Sequence, residues 1–97
     1  MNEYSLVGVK SDKFEVTPCM AREIYDAVMT ALDRWRYDHL ECAAYYVVDV
    51  DGDHIIDISK LASTLYHEEA LFALKSKSDD HFDEEQFIRT FIKEEMQ

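Results

Sequence analysis

The sequence predicts an α+β domain of order ββαββαα, an antiparallel sheet with helices packed mainly on one face. Three observations carry this. Short β-prone runs occur in two separate pairs, a stretch with three- and four-residue apolar spacing lies between the pairs, and two further helical stretches follow the second. The 97 residues hold two Gly and one Pro, with no linker-like segment and no repeat, so 1–97 reads as a single domain.

The first hairpin is predicted from Tyr4-Ser5-Leu6-Val7-Gly8-Val9 and Phe14-Glu15-Val16, with the polar Lys10 to Lys13 as its turn. Thr17-Pro18 then reads as a helix start, a capping hydroxyl followed by Pro at the first helical position, where its missing N–H costs nothing. Ala21, Ile24, Tyr25, Val28, Leu32 and Trp35 form one apolar stripe opposite Arg22, Glu23, Asp26, Thr30 and Asp33, which predicts an amphipathic helix over about 18–38.

Cys42 to Val50 is rich in β-branched and aromatic residues and runs into Asp51-Gly52, a two-residue hairpin signal. That turn would pair Val50 with Asp53, Val48 with Ile55 and Val47 with Ile56, gathering Tyr45, Val47, Ile56 and Ile58 on the face that meets helix 1. Ser59 or Ser63 can cap a second helix reaching about Lys75. Its apolar residues fall on two sides, Leu61, Leu65 and Phe72 against Tyr66, Ala70, Ala73 and Leu74, so it is expected to be broken or sandwiched. The third helix has the clearest start, with Asp83 as N-cap, Gln86 three residues on, and Phe82 and Phe87 as a hydrophobic staple.

Twenty-one acids against ten bases give a formal net charge of −11, beyond the magnitude of about 2–8 that solubility asks of a small domain. Residues 1–48 hold eight acids and five bases, and residues 49–97 hold thirteen and five, so the excess lies mostly in the second half. This charge argues against direct binding to nucleic acid or to an anionic membrane, both of which need clustered Lys and Arg. The longest apolar run, Cys42 to Val48, is far too short for a membrane span and no signal-peptide pattern opens the chain, so a cytoplasmic protein with reduced Cys19 and Cys42 is expected.

Asp49 to Lys60 resembles the EF-hand calcium loop, with Asp49, Asp51, Asp53 and Asp57 at positions one, three, five and nine and Ile56 at position eight. The resemblance implies a hard cation held by carboxylate oxygens. It departs from the family at His54, where Gly allows the sharp turn, and at Lys60, where a bidentate Glu belongs. The segment ahead also reads as a strand where the family has a helix. The leading reading is an acidic hairpin, with a weak metal loop as the alternative.

Other chemistry is sparse. His39, His54, His67 and His81 show neither zinc spacing nor a helical pair, and Gly8 and Gly52 build no phosphate-cradling loop. Cys19, placed in the first turn of helix 1, would gain thiolate character from the macrodipole, but no base or oxyanion hole accompanies it. No cofactor and no enzyme activity are expected.

The remaining constellation is the acids themselves: Glu23, Asp26 and Asp33 on helix 1, Asp49, Asp51, Asp53 and Asp57 at the second hairpin, and Asp79, Asp80, Asp83, Glu84 and Glu85 around the start of helix 3. Between Lys60 and Arg89 only Lys75 and Lys77 interrupt them, so internal pairing cannot neutralise the surface. In size, acidity and lack of catalytic motifs the whole chain resembles the small DNA-mimic inhibitors of phages and mobile elements, of anti-CRISPR or anti-restriction type. That resemblance implies a basic nucleic-acid-binding partner, such as a CRISPR surveillance complex, a restriction enzyme or a nucleoid protein, with Asp and Glu standing in for phosphates. An immunity protein or antitoxin against a basic nuclease is the alternative in the same class.

Overall fold

The computed structural model describes residues 1–76 and 81–97. Strands β1 (Asn2–Val9) and β2 (Phe14–Ala21) form the first hairpin, paired from Asn2 opposite Ala21 to Val9 opposite Phe14. Helix α1 (Ile24–Asp38) leads to β3 (Ala44–Asp49) and β4 (Ile55–Asp57), then to α2 (Ile58–Lys75) and α3 (Glu84–Glu95). The order is the predicted ββαββαα, and the four antiparallel strands lie in the sequence β2-β1-β3-β4.

Side-chain alternation decides which face is covered. On β1, Tyr4 and Leu6 point into the core while Ser5, Val7 and Val9 point to the other side, and β3 buries Tyr45 and Val47 in the same phase. Ile56 of β4 and Ile58 of α2 complete the group predicted to meet α1, and all are buried. Against them pack Ala27, Val28, Ala31 and Leu32 of α1, Leu61 and Leu65 of α2, and Ile88, Phe91 and Ile92 of α3. Each fully buried Leu or Ile contributes about 1.5–3 kcal/mol relative to exposure. Gly8 has a packing role here. A Cβ at that position would lie 3.2 Å from Cε2 of Tyr45 and 3.3 Å from Sγ of Cys42, so its missing side chain lets the Tyr45 ring cross β1.

The start of α1 differs from the sequence expectation. Thr17-Pro18 caps no helix; β2 runs on through both residues, with Pro18 opposite Ser5. Because β2 is an edge strand, a missing N–H can be accommodated there. Glu23 precedes the helix in an extended conformation and makes no side-chain cap. Cys19 consequently sits mid-strand opposite Tyr4, away from any helix N-terminus, which removes the macrodipole argument for its reactivity.

The β3–β4 register is the predicted one, Val47 opposite Ile56 and Val48 opposite Ile55, but the turn is wider than two residues. The Gly52 N–H donates to the Asp49 carbonyl at 3.0 Å and the Asp49 N–H to the His54 carbonyl at 3.3 Å, leaving Val50 to Asp53 as the loop. Gly52, with φ of 73°, occupies the left-handed region that glycine enters without a steric penalty.

Helix α2 is capped by Asp57, whose carboxylate accepts from the Lys60 N–H at 3.0 Å, and not by Ser59 or Ser63. The helix is neither broken nor sandwiched: it is continuous, and Tyr66 and Leu74 on its second apolar side are exposed. At α3 the predicted start is found intact. Asp83 accepts from the Gln86 N–H at 3.0 Å, and the Phe82 and Phe87 rings lie 5.8 Å apart. No helix among the described residues is long and apolar enough to cross a membrane.

Candidate interaction surface

The carboxylates divide into those that build the fold and those that remain on its surface. Asp49 belongs to the first group. One of its oxygens accepts from the backbone N–H of Asp53 at 2.9 Å and of His54 at 3.4 Å, and the other lies 2.9 Å from Nδ1 of His54. These hydrogen bonds, led by the His54 side chain, hold the Asp49 carboxyl below the usual aspartate range, against a smaller upward push from desolvation. Asp57 is likewise occupied, accepting from the Ser59 hydroxyl and the Lys60 N–H at the start of α2. Asp51 and Asp53 remain exposed at the turn.

Two of the four EF-hand-like carboxylates therefore already accept hydrogen bonds from the chain. Lys60, at the position of the loop's bidentate Glu, turns to α3 and bonds Oε1 of Glu95 at 2.9 Å. Among the described residues, no group of three or more His, Cys, Asp or Glu side chains is placed to hold a metal ion. Cys19 and Cys42 are free; Cys42 is buried, and burial raises the pKa of its thiol.

The helical acids come together through two arginines. Arg89 of α3 donates from Nη1 to Oε1 of Glu23 at 2.7 Å and from Nε to Oε2 of Glu85 at 3.1 Å, while its guanidinium lies 4.1 Å from the centre of the Tyr25 ring. At the other end of α1, Arg36 lies 3.5 Å from Asp33 and 3.6 Å from Glu84. Since the start of α1 meets the second turn of α3 and the end of α1 meets the start of α3, these helices run antiparallel. Glu23, Asp26, Asp33, Glu84 and Glu85 thus lie along one helical pair, with Arg36 and Arg89 bridging four of them and Lys93 in the same cleft as Glu23 and Arg89.

The turn acids share an end of the molecule with part of this set. Cys19, Tyr4 and Asp49 are consecutive partners across β2, β1 and β3, so the β3–β4 turn lies at the sheet end where β2 leads into Glu23 and Asp26. Asp33 and Glu84 stand at the far end of α1. Asp79 and Asp80, also expected at the surface, fall outside the described residues.

The sequence reading missed the composition of the sheet's other face. Phe14, Val16 and Met20 of β2 and Ile55 of β4 are exposed there, beside the half-buried Val7, Tyr46 and Val48. The signal was present in the sequence. Leu6 to Val9 of β1 and Ala44 to Val48 of β3 are unbroken apolar runs, a pattern expected of strands covered on both faces, where a strand with one solvated face alternates with polar residues. Comparison with protein-family models, curated proteins and solved structures found no match to this chain.

Proposed function

We propose that this is a small acidic binding protein that occupies the basic, nucleic-acid-binding surface of another protein, its carboxylates standing where phosphates would bind. The supporting observation is the α1–α3 carboxylate row, with five acids against Arg36, Arg89 and Lys93. The 15 residues of α1 extend about 22 Å, a length over which one strand of duplex DNA carries about six phosphates. Arg36 and Arg89 lie between carboxylates on the two helices and limit the repulsion among them, which holds the row in place at a lower net charge. Asp51 and Asp53 continue the negative surface at one end.

The test is a pull-down from cell lysate at about 50 mM salt, with elution at about 500 mM, where the Debye length is only a few ångström. The wild-type chain should capture a basic nucleic-acid-binding protein. A variant with Glu23, Asp26, Asp33, Glu84 and Glu85 all changed to their amides should lose it. Capture of the same protein by both chains would count against the carboxylate row.

A further inference from the structure

We propose that the exposed face of the sheet is the interface of a homodimer, two copies stacking sheet on sheet with their helices outermost. This face is unusual for a chain of such charge. Phe14, Val16, Val7, Tyr46, Val48 and Ile55 cross all four strands in register: Val16 pairs with Val7, Val7 with Tyr46, and Val48 with Ile55. Val7, Tyr46, Val48 and Ile55 line a shallow apolar depression at its centre. Two carboxylates share this side: Glu3 stands near one end of β1, and Asp57, opposite Tyr46 on the edge strand β4, is engaged in capping α2. No Lys or Arg lies on the outward positions of any strand.

The distribution of charge selects the occupant. A basic partner would find only Glu3 and the capping Asp57 here to meet, whereas a second copy meets a largely apolar surface like its own. Sheet faces stack about 10 Å apart, and a helix layer adds about 10 Å on each outer side, so the two α1–α3 carboxylate rows would lie about 30 Å from one another. That is several times the Debye length of about 8 Å at physiological salt. Stacking therefore buries the apolar surface while keeping the acidic layers apart, and an isologous contact of this kind closes at two copies.

Size sets the strength. With strands about 4.8 Å apart and a rise of about 3.3 Å per residue, the strands present a footprint of about 400 Å², and upright side chains raise the accessible area above this. The total buried by two copies comes to about 800–1,200 Å², at the low end of specific interfaces, so the dimer is reversible. The proposal concerns the protein alone and does not depend on the basic partner.

Sedimentation equilibrium on the full chain, from about 5 to 300 µM, tests it. The weight-average mass should rise from one chain toward two. Raising salt from about 50 to 500 mM should not weaken the association, because the contact is apolar and the acidic rows lie well beyond a Debye length from one another, in contrast to its effect on a basic partner. Val16→Lys and Ile55→Lys change exposed positions and should leave the far-ultraviolet circular dichroism of the monomer unchanged. Each should weaken the dimer at least about tenfold, because the new ammonium is buried in an apolar contact and Asp57, two residues from Ile55, is already engaged in capping α2. Leu74→Lys, at an exposed apolar position on the helix side, should leave it unaltered. A monomer throughout the range overturns the proposal and leaves the face to a different protein; so does a dimer that survives both strand variants or is dispersed by salt.

Discussion

His54 holds the Asp49 carboxylate across the β3–β4 turn, with Nδ1 2.9 Å from Oδ2. Together with the two backbone N–H groups that reach the other oxygen, this contact explains why the Asp-rich segment between Asp49 and His54 folds as a hairpin turn. Asp49 spends its hydrogen-bonding capacity inside the turn.

The depressed Asp49 pKa gives this contribution a definite pH dependence. A carboxyl whose folded pKa lies below its unfolded value of about 3.9 stabilises the protein fully above that value, and the contribution is lost as pH falls through the lower, folded pKa. Asp49→Ala should therefore lower Tm clearly at pH 7, and the gap from wild type should close toward pH 2. A gap that is constant with pH would mean that the charge of Asp49 contributes nothing. His54→Ala should raise the Asp49 pKa, as read by carboxyl carbon NMR.

Leu6 and Val7 are adjacent on β1 and point to opposite faces. Leu6 is 1% exposed, and Leu6→Ala should cost about 2–5 kcal/mol in urea unfolding, the range for a cavity in a packed core. Val7→Ala, on the open face, should cost the isolated monomer less than about 1 kcal/mol. Equal losses at dilution would contradict the assignment of inner and outer faces.

At Gly8 the space for a side chain is already taken. Gly8→Ala places a methyl against two buried side chains, the Tyr45 ring and the Cys42 thiol, and should destabilise by about 1–3 kcal/mol as an overpacked site. Unfolding by guanidinium measures it. An unchanged midpoint would show that Tyr45 can move aside.

Asp83 satisfies the Gln86 N–H at the start of α3. Asp83→Ala should cost about 0.5–2 kcal/mol, and Asp83→Ser should restore most of that loss. Thermal unfolding at fixed pH distinguishes the two, and a Ser variant no better than Ala would show that the hydroxyl does not cap.

What was legible in the sequence follows how local the signal is. Asp83, Gln86 and the Phe82–Phe87 pair form a cap and staple within a few residues, and all are found as read. The Val47–Ile56 register was legible because hydrophobic alternation fixes it even when the loop is longer than its Asp-Gly dipeptide suggests. Pro18 was misread because Thr-Pro suits a helix start and an edge strand equally well. Only the tertiary position of β2 separates them, and Glu23 supplies no capping hydrogen bond to mark the true start. Asp57 was assigned to the hairpin alone, which hid the cap of α2. For the candidate surface, composition located the acids but could not distinguish Asp49 and Asp57, engaged in the fold, from Asp51 and Asp53, which are exposed.

The most direct measurement is displacement of labelled duplex DNA from the protein captured at low salt, with this chain as competitor. Mimicry of phosphate charge predicts stoichiometric displacement at about 50 mM salt, with competition weakened at least tenfold by about 200 mM and lost in the variant with the five α1–α3 carboxylates amidated. Simultaneous binding of DNA and this chain to the captured protein, or competition indifferent to salt, would contradict it.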